Sequence, residues 1–574
     1  MRPDILAIKA VNQYRRRDIL SYLGLRYYLA NPSAKRNRWI TEISPLLVRQ
    51  RTESPYFKTK HFKGVNEDGS LSLRTIYVPG PNEALAEIVL LTECAKHEAF
   101  NPKPYVYSYR FAEEKNPEGV FEYYFNGFKT RHQDIANACH GNSCQMVLCT
   151  DIKSFYPSIP KHVIFKAWDR ACKAANISDG IYSLGVRLLT DHHKQSIKDK
   201  SGKCLLTGPM FSHLVANLVL RDIDEKMNEA TNGRYWRYVD DIAFVGSLDE
   251  VLYWRKELSD SLEAIELKLH TGEKDYSIKS CDWIASEHDF TDDLATPWMS
   301  LIADIKRFLL ANPESTDQLS QTLIMNDIRI PVHSCSKAVL ESSNLERFFD
   351  WYKKYSWTGK AIRQLSIKSI LDSARDAKET YLLTIKQALF ALQTADAYEK
   401  KRLIPKVRFC AGRLTLLASE KRLLSLSDQT QMYSELYLLS EIMRAVATRD
   451  VSQILELGTN ATQSVAQILR LTDNPVTVQH KTMSDVSEQS IAILILNGIS
   501  VEGNIHSNLP LYKFATGKDF LSLMSSDDAF IKEISSLHGV HDGVMHHKIF
   551  DEAFDRDEQL AIDVIDQLQQ SSYA

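Results

Sequence analysis

No Cys-x-x-Cys pair occurs anywhere in this chain of 574 residues, and its nine cysteines are scattered from Cys94 to Cys410. Such usage excludes a disulfide framework and suits buried thiols in a reducing compartment. Long apolar runs are missing as well. The longest clean one, Ile491 to Leu496, is six residues, far short of the ~20 that cross a bilayer. The charged stretch Met1 to Arg17 has no apolar core of signal-peptide length. There is no Gly-rich phosphate loop of Walker type, no Gly-x-Ser-x-Gly elbow and no His-Glu-x-x-His, so no second enzymatic domain announces itself. What is present is ordinary: 44% hydrophobic and 25% charged residues, with a mean hydropathy of -0.27. Collagen, coiled coil and wholesale disorder are excluded, and a cytoplasmic protein of about two to four domains is expected.

The net charge of -3 is unevenly placed. Residues 1–64 hold 14 Lys and Arg against 4 Asp and Glu, whereas the last 34 residues hold 2 against 8. A basic head suggests contact with phosphates, and a solvated basic helix is the equal alternative. The spacing of Ile5, Ile8, Val11, Ile19, Tyr22 and Leu23 predicts helices over residues 1–50, decorated by Arg15, Arg16, Arg17, Lys35, Arg36 and Arg38. From about 60 to 300 the texture is mixed. Strand-like runs (Leu73–Val78, Gly119–Phe125, Gln145–Thr150, Tyr235–Val245) alternate with helical stretches such as Glu83–Cys94 and Phe211–Asn228. Beyond 300 helix dominates, with Leu382, Ile385, Leu389 and Leu392 on one face and Leu-rich stretches through 410–450 and 450–471. Asn312-Pro313 and the polar stretch 472–489 read as hinges or linkers. Three parts follow: a basic helical extension 1–60, an α/β region 61–300, and an all-α, helical-repeat-like region 301–574.

Chemistry concentrates in carboxylates. An apolar strand ends at Asp151 and passes through Ser154, Phe155 and Tyr156 to Pro157. An acid there is held rigidly yet opens to a cleft; taken alone, it is more readily read as a helix cap. Further on, Asp240 and Asp241 stand between Tyr235–Val239 and Ile242–Val245, which predicts a β-hairpin with both acids at its tip. Neighbouring carboxylates repel one another, so the pair is costly unless a divalent cation neutralises it; an acidic hairpin turn is the plain alternative. Asp151 and Asp240 on adjacent strands could together hold two Mg²⁺ ions about 3.5–4 Å apart.

These segments resemble the motifs of reverse transcriptases. Asp151-Ile-Lys-Ser-Phe-Tyr-Pro-Ser-Ile159 is similar to motif A and Tyr238-Val-Asp-Asp241 to motif C. Thr207-Gly208-Pro209 through Ser212 to Asn217 resembles motif B, with Thr207 where the family has Gln. Leu267 to Lys274 resembles motif D, and Leu73-Arg74 to Pro79 the fingers segment, without the basic residue that usually follows the proline. The resemblance covers about 60–285. It implies an α/β right-hand polymerase with fingers and palm, in which Asp151, Ile152 and Asp240 hold the metal ions and Asp241 supports them. It also implies that Tyr156 excludes a 2′-hydroxyl and favours dNTPs, that Gly208 lets the backbone approach the nucleotide, that Arg74 clamps the triphosphate and that Lys274 protonates the leaving pyrophosphate. On the residues alone, Tyr156 is equally a packing aromatic, and Arg74 and Lys274 solvated cations.

The basic head, the altered motif B and the long helical C-terminal half together resemble the bacterial abortive-infection, AbiK-like, defence-associated reverse transcriptases. That narrower likeness implies a helical-repeat domain, homo-oligomers such as trimers or hexamers, and DNA synthesis that in some members needs no template and starts from a protein tyrosine. The product is then single-stranded DNA attached to the protein; RNA is a further partner and a membrane is not. No local motif singles out a priming tyrosine among Tyr14, Tyr22, Tyr27 and Tyr28. The run Lys400, Lys401, Arg402, Lys406, Arg408, Arg413 is either a path for single-stranded product or a solvated helix face. Cys139-His140 with Cys144, and His538, His541, Asp542, His546 and His547, are metal-like clusters without a partner pair at zinc spacing. Two other functions stand beside the polymerase: an inert palm serving a helical domain that binds RNA or protein, and an RNA polymerase or nucleotide cyclase, which Tyr156 disfavours.

Overall fold

The computed structural model describes residues 3–15, 19–30, 39–66, 68–113, 119–140, 145–272, 274–287, 294–333, 335, 365–470, 474–479, 484–503, 505, 510–516, 523 and 525–538. Over these, a mixed α/β N-terminal region with small antiparallel sheets is followed by a largely helical C-terminal half. No described helix is long and apolar enough to cross a membrane. The eight described cysteines are free, and all but Cys281 are buried.

Two sheets organise the N-terminal region. The first pairs β1 (Phe57–Val65) with β2 (Leu71–Val78) and carries a bulge between Phe62 and Gly64. The second is four-stranded, with β3 (Met146–Asp151), β4 (Tyr235–Tyr238), β5 (Asp241–Gly246) and β6 (Tyr276–Lys279) in the order β4-β5-β3-β6, all antiparallel. The strand period of two sends Leu148, Ile242 and Phe244 into the core formed with helices Met210–Ala230 and Leu248–Glu263. It sends Val147, Cys149, Ala243 and Val245 the other way, against helices Tyr124–Cys139 and Ser280–Glu287. Covered on both faces, the two central strands read as unbroken apolar runs. The expected strand Gly119–Phe125 is not one. Phe121 makes a single bridge to Phe111 and stacks on its ring, and a helix begins at Tyr124.

Helices Pro3–Arg15, Ile19–Ala30 and Ser44–Gln50 are built into the same core as helix Pro81–Cys94. The buried Tyr14 hydroxyl donates to Glu87 (3.0 Å) and that of Tyr28 to Asn82 (2.8 Å), so both are structural tyrosines here. The side chains of Arg15, Tyr22 and Tyr27, and residues Arg16, Arg17, Lys35, Arg36 and Arg38, lie outside the described set.

The C-terminal half packs helices Ile367–Leu392, Ala397–Leu417, Glu420–Thr430, Tyr437–Thr448, Thr459–Leu469 and Asp485–Leu496 around a second core, with Ile385, Leu389 and Leu392 inside it. This half is not wholly helical: within the supposed linker 472–489, β7 (Val476–Val478) pairs in parallel with β8 (Val501–Gly503), and a helix starts at Asp485. Asn312-Pro313 does interrupt the helices, between Thr296–Ala311 and a single turn at Pro313–Ser315. Two members of the basic run of 400–413 are neither solvated nor open to a path: Arg408 is buried and donates to the Glu435 carbonyl, tying its helix to the next segment, and buried Arg413 lies 3.6 Å over the Phe409 ring of its own helix. Cys144, His541, Asp542, His546 and His547 lie outside the described residues.

The two halves interlock. The β1 edge, a row of groups that would otherwise be open, is closed by a bridge from His61 to Gly458, by Asn460 on His61, and by Gln489 donating to the Lys58 carbonyl (2.9 Å). A third core joins Leu20 and Val78 to Ile493, Phe514, Phe530 and Ile534. From helix Ala529–His538, buried Glu533 accepts from the Asn82 N–H (2.7 Å) and side-chain amide (3.0 Å) and pairs with Arg51, which also holds buried Glu83.

Candidate active site

Asp151 ends β3 and faces Asp241 on β5, and the Ile152 N–H donates to the Asp240 carbonyl (3.0 Å). The three expected acids therefore meet at one end of the four-stranded sheet. The β4–β5 turn consists of Val239 and Asp240, with Tyr238 paired to Asp241. Val239 sits at φ +56°, which a two-residue hairpin demands at its first loop position but which a β-branched residue resists. Two bonds hold it there. The Val239 N–H donates to Ser108 Oγ (2.9 Å), and its carbonyl accepts from Arg237 Nη1 (2.8 Å). Arg237 is itself fully buried and doubly bonded to Asp224, at 2.7 Å for each contact. The strain is thus fixed by its surroundings, as it is at sites that position reactive groups.

The acids have different partners. Asp241 is turned to the buried Arg131 of helix Tyr124–Cys139, which reaches both oxygens at 3.0 and 3.2 Å. Burial works against the charge of Arg131, but Asp241 keeps it protonated. Asp151 is mostly buried, and its Oδ2 accepts from Lys274 Nζ (3.0 Å). Burial raises the Asp151 carboxyl above its usual range, against the pull of Lys274. Asp240 is raised further, to about 7, by burial and then by the charge of Asp151. Two partly desolvated carboxylates thus share one end of the sheet, and the charge of Asp151 opposes the ionisation of Asp240.

Among the described residues, no group of three or more His, Cys, Asp or Glu side chains is arranged to hold a metal ion. A closed zinc-type site is therefore a poor fit. Mg²⁺ takes an octahedral oxygen shell, keeps several waters and uses one or two carboxylates plus substrate phosphate. Asp151 and Asp240, mutually repelling and with Asp241 committed elsewhere, suit that ion. Ile152 is fully buried and apolar, so only its main chain could contribute.

The remaining expected residues are placed as follows. Lys274 reaches the site through Asp151. Tyr156, on the one-turn helix Phe155–Ser158, is buried with its hydroxyl on His213. Gly208, at φ +125°, does allow a close approach, but to β2: a Cβ there would stand 2.3 Å from the Tyr77 carbonyl, whose own N–H donates to the Thr207 carbonyl (2.8 Å). Gly208→Ala is expected to cost about 1–3 kcal/mol from the backbone alone, read as a lower denaturation midpoint. Arg74 lies on β2 opposite His61.

Sequence reasoning missed Lys63, Arg131, Arg237, Ser108, Tyr109 and His213. Lys63, on β1, lies in the field of Arg74, Lys274, Asp151 and Asp240; partial desolvation, then the two cations, lower its pKa. Lys63 thus brings positive charge near the carboxylates, with Arg74 beside it. Nothing local in the sequence marks any of the missed residues. No protein-family model matches the sequence, and no curated protein is recognisably similar to it.

Proposed function

We propose that this chain is a Mg²⁺-dependent DNA polymerase with a palm of reverse-transcriptase type, acting in antiphage defence like the AbiK-like enzymes it resembles. The observation that carries the reading is the approach of the strand end at Asp151 to the strained turn at Asp240, where burial raises both carboxyls and the charge of Asp151 raises Asp240 further. Bound there, Mg²⁺ would lower the pKa of an attacking 3′-hydroxyl and neutralise phosphate charge. The chain supplies the rest. Lys63 and Arg74 face the triphosphate, Lys274 stands ready to give a proton to the departing pyrophosphate, and Tyr156 lies under the sugar. Arg131 engages Asp241, and Arg237 holds the turn.

One observation favours a second reading. Lys274 already neutralises Asp151, as an inert palm serving a helical RNA- or protein-binding half would allow. Incubating the purified chain with Mg²⁺ and each labelled dNTP, with and without an added template and primer, separates the two. Acid-insoluble product is expected. If the product migrates with the protein and is released by protease, synthesis starts on the chain itself; if it forms only with template, it is copied. No product under any condition supports the inert palm.

A further inference from the structure

The hydroxyl of Tyr156 is not left to the nucleotide. It lies 2.5 Å from His213 Nδ1, on helix Met210–Ala230, and donates to it in the tautomer that carries its proton on Nε2. The two rings meet edge-on, 5.4 Å apart at 81°. His213 is in turn stacked on Tyr109, with centroids 3.9 Å apart at 16°. Tyr109 sits at φ +53°, a backbone conformation that a bulky residue avoids. Its neighbour Ser108 accepts from the Val239 N–H in the turn that presents Asp240, and accepts the Asn217 amide on its carbonyl (3.1 Å). The same strap is pinned to β4 by the Tyr107 N–H on the Arg237 carbonyl and the Arg237 N–H on the Tyr105 carbonyl. One short segment therefore registers both the carboxylate turn and the ring of Tyr156.

We propose that His213 is the positioning residue that fixes Tyr156 against the sugar, and so sets the preference for 2′-deoxy over 2′-hydroxy nucleotides; this rests on the polymerase reading above. A phenol anchored only at Cβ can change rotamer and open space for a 2′-hydroxyl. Anchored also at its oxygen, by a ring that is itself stacked, it cannot yield without breaking a bond inside a low-dielectric network. The gate is thus rigid at both ends.

The test compares kcat/KM for a dNTP and its matching NTP in the full-length chain. His213→Ala and Tyr156→Phe each lower the dNTP-over-NTP ratio about tenfold, the size of one lost orienting hydrogen bond. The double variant goes no further, because both changes cut the same link. His213→Asn, whose amide can stand where Nδ1 was, recovers most of the ratio. A purely structural histidine would lower both nucleotides equally, and a ratio that stays fixed in His213→Ala and Tyr156→Phe overturns the inference. Should His213→Ala not fold, Tyr156→Phe keeps the ring stack and carries the test. A chain that incorporates dNTPs through Asp240 but shows no change in ratio sinks only this inference. A chain that incorporates nothing sinks the polymerase reading and the inference with it.

Discussion

Asp240→Asn is expected to abolish the proposed dNTP incorporation and, at the same time, to make the metal-free chain more stable above pH 7. The activity loss is expected to be about three orders of magnitude or more, because several kcal/mol of charge stabilisation depend on that carboxylate. The stability gain has the opposite origin. Without a cation, Asp240 titrates at about 7, against about 3.9 in an unfolded chain. Between those values the native state keeps a proton that the unfolded chain has released, so stability falls as pH rises from about 4 to about 7 and stays low above it. The asparagine variant has no such slope. The two proteins should melt together near pH 4 and diverge by pH 8, and Mg²⁺ should then raise the melting temperature of the wild type alone. Parallel melting profiles from pH 4 to pH 8, with no selective effect of Mg²⁺, would show that Asp240 is not held in a frustrated pair.

Arg237→Ala is the second large effect. Its guanidinium is fully buried and makes four bonds, two to Asp224, one to Asn217 Oδ1 (3.2 Å) and one to the Val239 carbonyl. Removing it strands the buried Asp224 carboxylate with Tyr235 as its remaining side-chain donor. Breaking a buried pair from one side costs about 3–5 kcal/mol, measurable as a shift in the denaturation midpoint. The double replacement Arg237→Met with Asp224→Leu removes both charges and should recover much of that stability, since a well-packed apolar pair often matches a buried ion pair. It should not recover polymerisation, because the Val239 carbonyl has still lost its holder. A double variant that is both stable and fully active would refute the turn-holding role.

The elements nearest the chemistry were legible in the sequence for physical reasons. β3 and β5 are central strands packed on both faces, so they are written as apolar runs, and two acids between two such runs announce a hairpin. β1 was not legible. Lys58, Lys60, Lys63 and Gly64 break its pattern, and its outer edge is completed by Gly458, Asn460 and Gln489, some four hundred residues downstream. Gly119–Phe125 misled because aromatic residues favour strands on average, whereas here Phe121 stacks on Phe111 and meets Tyr109 edge-on. That Arg131 would collect Asp241, or that His213 would hold Tyr156, depends on helix packing that no local motif encodes.

The interlocking of the two halves sets a limit on how this molecule can be divided. Cutting near residue 300 to isolate the α/β region would strip Leu20 and Val78 of the apolar cover given by Ile493, Phe514, Phe530 and Ile534, and deprive Arg51 and Asn82 of Glu533. The truncated piece would expose a greasy flank and an unpaired ribbon margin, and would clump before its chemistry could be assayed.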